Sequence, residues 1–361
     1  MKLVEEFELG LDAPICITWE LTYACNLACV HCLSSSGRRD PRELTTAEAK
    51  GVIEELERMQ VFYVNIGGGE PTVRKDFWEL LDHAAAHHVG VKFSTNGSRI
   101  DAAAAAVNDA VRGPGSFDTA LGALERLHTA GFEKPKISVV VTRQNAGQLD
   151  DFKAIADRYG AQLRITRLRP SGRGADVWDE LHPTADQQRS LYMWLLEHGE
   201  EVLTGDSFFH LSAFGEALPG LNLCGAGRVV CLIDPVGDVY ACPFAIHDEF
   251  LAGNVREPRG FEGVWRDSEL FTELRRPQSG GACESCGHYD ACRGGCMAAK
   301  FFTGLPLDGP DPECALGHGE GLLAARGEDL AIPAPAVDHS RKRPPSRVCD
   351  ENPLADFIAK A

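Results

Sequence analysis

This 361-residue chain has no apolar run approaching the ~20 residues of a membrane span, which argues against a helical membrane protein. It is short of positive charge: 36 Lys and Arg face 53 Asp and Glu, for a net charge of −17. A phosphate backbone needs a basic face, so nucleic acid is a poor partner. The first residues, Met1 to Glu8, are acidic and lack the apolar centre of a signal peptide. The expected location is therefore the cytoplasm, a reducing compartment where thirteen cysteines read as metal ligands rather than disulfides. The length suits two or three domains, and the composition, 44% hydrophobic and 25% charged, is that of a globular protein.

The first half alternates between strand and helix patterns. Ile15–Leu21, Val61–Ile66, Val89–Ser94, Ile137–Val141 and Leu163–Leu168 read as strands. Thr46–Arg58, Asp76–His88, Ser116–Ala130 and Gln148–Tyr159 read as helices, the first with Ile53, Leu56 and Met59 at helical spacing. Such alternation implies a parallel sheet, open or closed into a barrel, with its active site at the carboxyl ends of the strands.

Three features fall at that rim. Cys25, Cys29 and Cys32 follow the first strand with C-x3-C-x2-C spacing. Three thiolates can bind three corners of a 4Fe–4S cube and leave one iron open, whereas ordinary ferredoxin-type clusters are closed by four. Zinc, with His31 recruited as a fourth ligand, is the alternative. Gly67-Gly68-Gly69-Glu70-Pro71 follows the second strand, where glycines permit close backbone approach to a ligand or simply make a tight turn. Ser94-Thr95-Asn96-Gly97 ends the third.

These motifs, in this order and on these elements, resemble the radical SAM superfamily. The resemblance implies that S-adenosylmethionine chelates the open iron and is cleaved by one electron to methionine and a 5′-deoxyadenosyl radical. It implies that the Gly68, Gly69 and Pro71 backbone and Glu70 hold the methionine amino group. Ser94 and Asn96 would lie at the nucleoside, and His31 beside the adenine or, equally, as an ordinary loop histidine.

Eight further cysteines follow in the second half. Cys224-x12-Gly237-x4-Cys242, Cys283-x2-Cys286-x5-Cys292-x3-Cys296 and Cys314, with Cys231 between the first two, resemble the SPASM extension of radical SAM enzymes. Eight thiolates suffice for two closed 4Fe–4S clusters. The resemblance implies that Cys224, Cys231, Cys242 and Cys296 hold auxiliary cluster I, and Cys283, Cys286, Cys292 and Cys314 auxiliary cluster II, making three clusters with the open one. A zinc ribbon on Cys283, Cys286, Cys292 and Cys296 remains chemically open, but leaves Cys224, Cys231, Cys242 and Cys314 unexplained. Cys16, on a strand, reads as core, and Cys349 as incidental.

Longer segments are similar to the mycofactocin maturase family: Trp19–Leu27, Cys32–Gly37, Phe62–Thr72, Arg167–Gly174, Asp206–His210 and Gly294–Phe302. What this implies is a peptide-modifying oxidoreductase or lyase. Its substrate is a small ribosomally made precursor ending in Val-Tyr. The tyrosine is decarboxylated oxidatively, and the valine side chain is then joined to the former tyrosine carbon to close a lactam. A small leader-binding carrier protein and an external electron donor are the implied partners. Two readings compete: another SPASM maturase forming thioethers or other cross-links, and a multi-cluster electron carrier. Arg167, Arg169 and Arg173 form either a carboxylate clamp for the peptide or, the preferred reading, a solvated basic loop.

The expected organisation is a radical SAM core over 1–200, an auxiliary iron–sulfur domain over 201–316 and a disordered, proline-rich tail over 317–361. The expected fold is α/β, a partial (β/α)6-type barrel. One α–β unit, about 30 residues, is missing near residue 100: Arg99-Ile100 runs directly into Asp101 and five alanines, where the family has another helix and strand.

Overall fold

The computed structural model describes residues 7–98, 116–204, 208–216, 218, 223–276 and 280–326. They divide into two compact units. The first comprises the described parts of Met1–Ala120 and Gly225–Pro277, and the second those of Leu121–Cys224 and Gln278–Ala334.

The first unit is built on a six-stranded sheet. Its strands are β1 (Cys16–Thr22), β2 (Tyr63–Gly68), β3 (Val91–Phe93), β6 (Val230–Ile233), β7 (Asp238–Tyr240) and β8 (Leu251–Asn254), in the order β3-β2-β1-β6-β7-β8. β1 is central and parallel to both neighbours, with Ile17 opposite Val64 on one side and Cys231 on the other. Strand alternation sends Ile17, Trp19 and Leu21 to one face, where all three are buried. Helices α1 (Thr46–Arg58) and α2 (Phe77–Ala86) bring Val52, Ile53, Leu56, Phe77, Leu80 and Ala84 to the buried layer. A capping box starts α1: the Thr45 hydroxyl accepts from the Glu48 N–H, and the Glu48 carboxylate accepts from the Thr45 N–H at 2.8 Å.

The second unit holds β4 (Lys136–Val141) and β5 (Gln162–Arg167), paired in parallel through the helix α4 (Leu149–Arg158). Helix α3 (Ser116–Thr129) precedes β4. Val139, Val141, Leu163 and Ile165 share a core with Leu149 and Ala156 of α4 and with Leu191, Tyr192 and Leu195 of α5 (Ala185–His198).

The elements of the first half are those the periodicity predicts, with ends that match or shift by at most two residues. The later strands are different. The reading set 201–316 apart from the core, yet β6, β7 and β8 extend the sheet of β1. β1 needs a hydrogen-bonding partner on each side, and a short run such as Val230–Ile233 carries no mark of which strand it will join. The tail read as disordered from 317 opens with a helix, α7 (His318–Arg326), whose Leu322, Leu323, Ala324 and Ala325 are good helix formers; 327–361 lie outside the described residues. The stretch expected to be shortened, 101–113, also lies outside them. To either side of it, β3 and β4 belong to different sheets.

Helix α6 (Gly260–Asp267) shows how acid groups organise the first unit. Its exposed N–H groups at Phe261 and Glu262 donate to the buried Glu55 carboxylate of α1, at 3.0 and 2.9 Å. Gly260 takes φ +58, and a side chain there would collide with that carboxylate. Replacing Glu55 with Ala should cost about 2 kcal/mol, the loss of a buried cap, read as a lowered midpoint of urea unfolding. Glu55→Gln, which keeps an acceptor, should lose less.

Candidate functional site

The cysteine loop springs from the carboxyl end of β1. Its base is closed by backbone bonds, Gly37 N–H to Tyr23 O at 2.8 Å and Cys25 N–H to Gly37 O at 3.2 Å. Glu43, buried, braces the same base: its carboxylate accepts from the Thr22 hydroxyl, the Tyr23 and Asp40 N–H groups and Arg39 Nε, all at 3.0 to 3.2 Å. Within the loop, Cys32 N–H reaches Cys29 O and Ser35 N–H reaches Cys32 O, both at 3.3 Å. Cys25, Cys29 and Cys32 are half-buried thiols, and His31 is half-buried among them.

The glycine loop after β2 packs directly on this base. Gly69 N–H donates to Thr22 O and Glu70 N–H to Ala24 O, both at 2.8 Å. The two backbones lie so close that a Cβ on Gly69 would sit 2.1 Å from Ala24 O. Gly68, at φ +102, would meet Thr22 O and Glu20 in the same way, whereas Gly67 faces open space. Gly68 and Gly69 are therefore needed by protein packing, and Gly67 is the glycine with room beside it.

Glu70, the acid of this loop, is held by partners within the protein. It is fully buried and its oxygens are engaged within the protein. Oε1 accepts from the Thr72 hydroxyl at 2.5 Å and the Thr95 hydroxyl at 2.8 Å, and Oε2 from the Asn96 N–H at 2.7 Å. It is a positioning residue that ties the glycine loop to the loop after β3. Pro71 is buried and begins the short turn that follows. Asn96 reaches the cysteine loop, with Nδ2 3.0 Å from Asn26 Oδ1 and 3.9 Å from Cys25 Sγ. Ser94 is exposed, its N–H bonded to Ile66 O at 2.9 Å. The structure thus brings Cys25, Glu70 and Asn96 together at one rim.

Sequence reasoning missed a buried acid pair beneath this rim. Glu20 lies on β1 between Trp19 and Leu21, and accepts a hydrogen bond from Ser34 of the cysteine loop. Asp234, just after β6, accepts from the Tyr23 hydroxyl at 2.6 Å. Burial pushes each carboxyl up to about 7, each bond to a hydroxyl opposes the shift, and the negative charge of Asp234 adds to the shift at Glu20. A carboxylate inside an otherwise apolar strand was the available signal.

In the second unit, Cys283, Cys286, Cys292 and Cys314 are electrostatic neighbours. Burial raises the thiols of Cys283 and Cys292, the latter to about 11; Cys286 and Cys314 add to both shifts, and Cys283 to that of Cys292. Gly294 and Gly295, at φ +72 and +80, bend the chain before Cys296. A Cβ on Gly295 would collide with Asp311, whose Oδ2 accepts the Cys296 N–H at 2.7 Å. Arg167, at the end of β5, forms ion pairs with Asp311 and Glu313. Arg167, Arg169 and Arg173 are all buried, which corrects the solvated-loop reading. Arg167 looks solvated until its carboxylates are known, and they stand 144 and 146 residues later. Cys224 and Cys242 are half-buried and Cys296 is buried. Cys231 is set apart. It is fully buried on β6, and the titratable groups that shift its thiol are Cys16 and Arg275, surroundings typical of a core residue.

Among the described residues, no three cysteines bring their sulfurs within 4.8 Å of one another. Zinc–sulfur bonds of ~2.3 Å in a tetrahedron would hold them ~3.8 Å apart. The donors offered by these loops are thiolates, the soft ligands that iron–sulfur clusters take.

The acid pair sets a pH dependence. Between about 4.5 and about 7, folded Glu20 keeps a proton that the unfolded chain has lost, so its contribution to stability is fullest below that window and falls as pH rises through it. Glu20→Gln, which retains an acceptor for Ser34, should be more stable than wild type at pH 8 by on the order of 1–3 kcal/mol, with a smaller gain at pH 5. Denaturant titrations at the two pH values measure this, and an equal gain at both would contradict it.

Family comparisons agree with this geometry. Residues 19–110 match the Radical SAM superfamily and residues 224–287 the iron–sulfur cluster-binding domain known as SPASM. A mycofactocin maturase, MftC, of Mycolicibacterium smegmatis is 68% identical, with 98% of each chain covered. That alignment runs over 387 positions, more than the 361 residues of this chain, so the relative carries internal residues that this chain lacks. An AdoMet-dependent heme synthase of Methanosarcina barkeri is 31% identical over 84% of this chain and 97% of its own. In fold, the chain is similar to Streptococcus suis SuiB bound to S-adenosylmethionine, with TM-score 0.67 and 20% identity over 84% of this chain and 78% of that one. With its thiol loop at the end of β1 and its second cysteine set in the later half, the chain belongs to the mycofactocin maturase family of radical SAM enzymes with a SPASM domain.

Proposed function

We propose that this enzyme decarboxylates the C-terminal tyrosine of a Val-Tyr-ended precursor peptide oxidatively, then joins the valine side chain to the former tyrosine carbon in a lactam. The observation that carries this reading is the 68% identity to a mycofactocin maturase across 98% of both chains. The SuiB fold neighbour bound to its precursor peptide SuiA supports a peptide substrate.

Cys25, Cys29 and Cys32 would hold an iron–sulfur cluster with one iron left for S-adenosylmethionine. His31, the Gly67–Gly69 backbone, Ser94 and Asn96 stand on the same rim to receive it, with Glu70 and Pro71 fixing the loops. When bound, cluster and S-adenosylmethionine together supply a carbon radical that takes hydrogen from unactivated carbon, a step no acid–base side chain performs. Cys283, Cys286, Cys292 and Cys314 would hold auxiliary cluster II. Cys224, Cys231, Cys242 and Cys296 are the set for auxiliary cluster I, and the core surroundings of Cys231 make it the weakest member. An auxiliary cluster would accept the electron released as carbon dioxide leaves. A small carrier protein presents the peptide leader, an external donor reduces the first cluster, and the reduced thiols suit the cytoplasm. Residues 1–200 would supply the radical SAM chemistry and 201–316 the auxiliary-cluster thiols, with β6, β7 and β8 of the latter completing the sheet of β1.

The test is anaerobic incubation of the reconstituted chain, at about twelve irons for three clusters, with S-adenosylmethionine, reductant, carrier and peptide. Mass spectrometry should show a product lighter by carbon dioxide and two hydrogens, followed by a cross-linked isomer of the same mass. Replacing Cys25, Cys29 and Cys32 together with Ala should abolish both products and deoxyadenosine. A Val-Tyr peptide left unmodified, with its mass unchanged, would point instead to a different SPASM maturase. Iron near four per chain with stoichiometric zinc would remove the auxiliary clusters from the account.

A further inference from the structure

Two clusters of potential metal ligands lie away from the cysteines among the described residues. His210, Asp311 and Glu313 form one, but the Arg167 guanidinium occupies it: Nη1 is 3.0 Å from Asp311 Oδ2 and 3.5 Å from His210 Nδ1. A cation is already in place there. The other cluster is Glu54, His83 and His87.

We propose that His83, His87 and Glu54 form a binding site for one divalent transition-metal ion of borderline softness, with zinc the representative. His83 and His87 are four residues apart, on α2 and at its C-cap, which places both rings on one helix face. The ring centroids are 4.4 Å apart with planes tilted by 43°. Glu54 comes from α1, and its Oε1 is 3.2 Å from His83 Nε2. Two ligands on a tetrahedral zinc at bond lengths of ~2.0–2.1 Å are separated by ~3.3 Å, so this pair already has the spacing of neighbouring ligands. The three candidate ligand atoms lie within 4.8 Å of one another. His87 Nδ1 is 2.8 Å from Glu57 Oε2. A carboxylate on the far ring nitrogen is how metal-binding histidines are oriented, because it fixes the tautomer and leaves the other nitrogen's lone pair for the metal.

The donor set of two imidazoles and one carboxylate suits zinc, nickel or copper rather than calcium or magnesium. The site is partly exposed, with His83 at 19% and His87 at 31%, so water can complete the coordination. A bound ion would link α1 to α2, a connection now made by the Lys50–Glu79 ion pair at 2.6 Å and by the two His–Glu contacts. Simple His–Glu pairing is the competing explanation, and it predicts no retained metal.

The test uses the cluster-loaded enzyme, so that its cysteines are occupied. Wild type and His83→Asn/His87→Asn are dialysed anaerobically against zinc and then buffer, and both metals are counted. Wild type should retain one zinc more per chain than the double variant at equal iron, and zinc should raise its thermal midpoint but not that of the variant. Glu57→Gln should weaken zinc binding ~10-fold or more by releasing the His87 ring. Equal zinc in wild type and double variant, or none in either, would overturn the site. Because these residues stand apart from the cysteine loop, peptide modification should be unchanged in the double variant.

Discussion

One buried carboxylate holds the rim of the first unit together. Glu70 has no access to solvent, and its partners come from the turn it begins and from the loop after β3. Its own N–H donates to Ala24 O, next to the first cysteine of the loop after β1. Through one residue the ends of three parallel strands are locked into one arrangement. A buried carboxylate that accepts several hydrogen bonds is tolerated, and one left without them is strongly destabilising. The loops therefore hold Glu70 in place as firmly as it holds them, and Asn96 is carried to within 3.9 Å of Cys25 Sγ as a result.

The same device recurs. Glu43 gathers N–H and hydroxyl donors at the base of the cysteine loop, and Glu55 collects the first N–H groups of α6. Glu20 and Asp234 are held by Ser34 and Tyr23. In the second unit, Asp311 takes both Arg167 and the Cys296 N–H. A chain of net charge −17 thus keeps a share of its acids inside, as acceptors for backbone donors that loops and helix ends leave unpaired. These loops carry the thiols, and they lack the ladder bonds that would otherwise fix them.

Much of this was legible in sequence where a local rule applies. Helix α1 begins and ends where its hydrophobic spacing places it, and the three motifs fall at the ends of β1, β2 and β3 as strand–helix alternation requires. Legibility ended where a residue's role depends on a distant partner. Arg167 looked solvated because Asp311 and Glu313 are remote in sequence. The partners of Glu70, Thr95 and Asn96, come from another loop. The atoms that crowd Gly68 and Gly69 belong to Glu20, Thr22 and Ala24 of β1 and its loop. The pairing of β6 with β1 depends on edge availability, which no local pattern encodes.

The account's central claim is that Glu70 organises the rim on which the cysteine loop and Asn96 meet. The most direct measurement is the affinity of cluster-loaded Glu70→Gln and Glu70→Ala for S-adenosylmethionine, with iron counted in each. Glu70→Gln keeps the oxygen that accepts from Thr72 and Thr95 and loses the one that accepts the Asn96 N–H. It should bind moderately more weakly, and Glu70→Ala, which releases both loops, at least ~10-fold more weakly, the cost of at least one buried bond, with iron retained in both. Wild-type affinity in Glu70→Ala would contradict the claim.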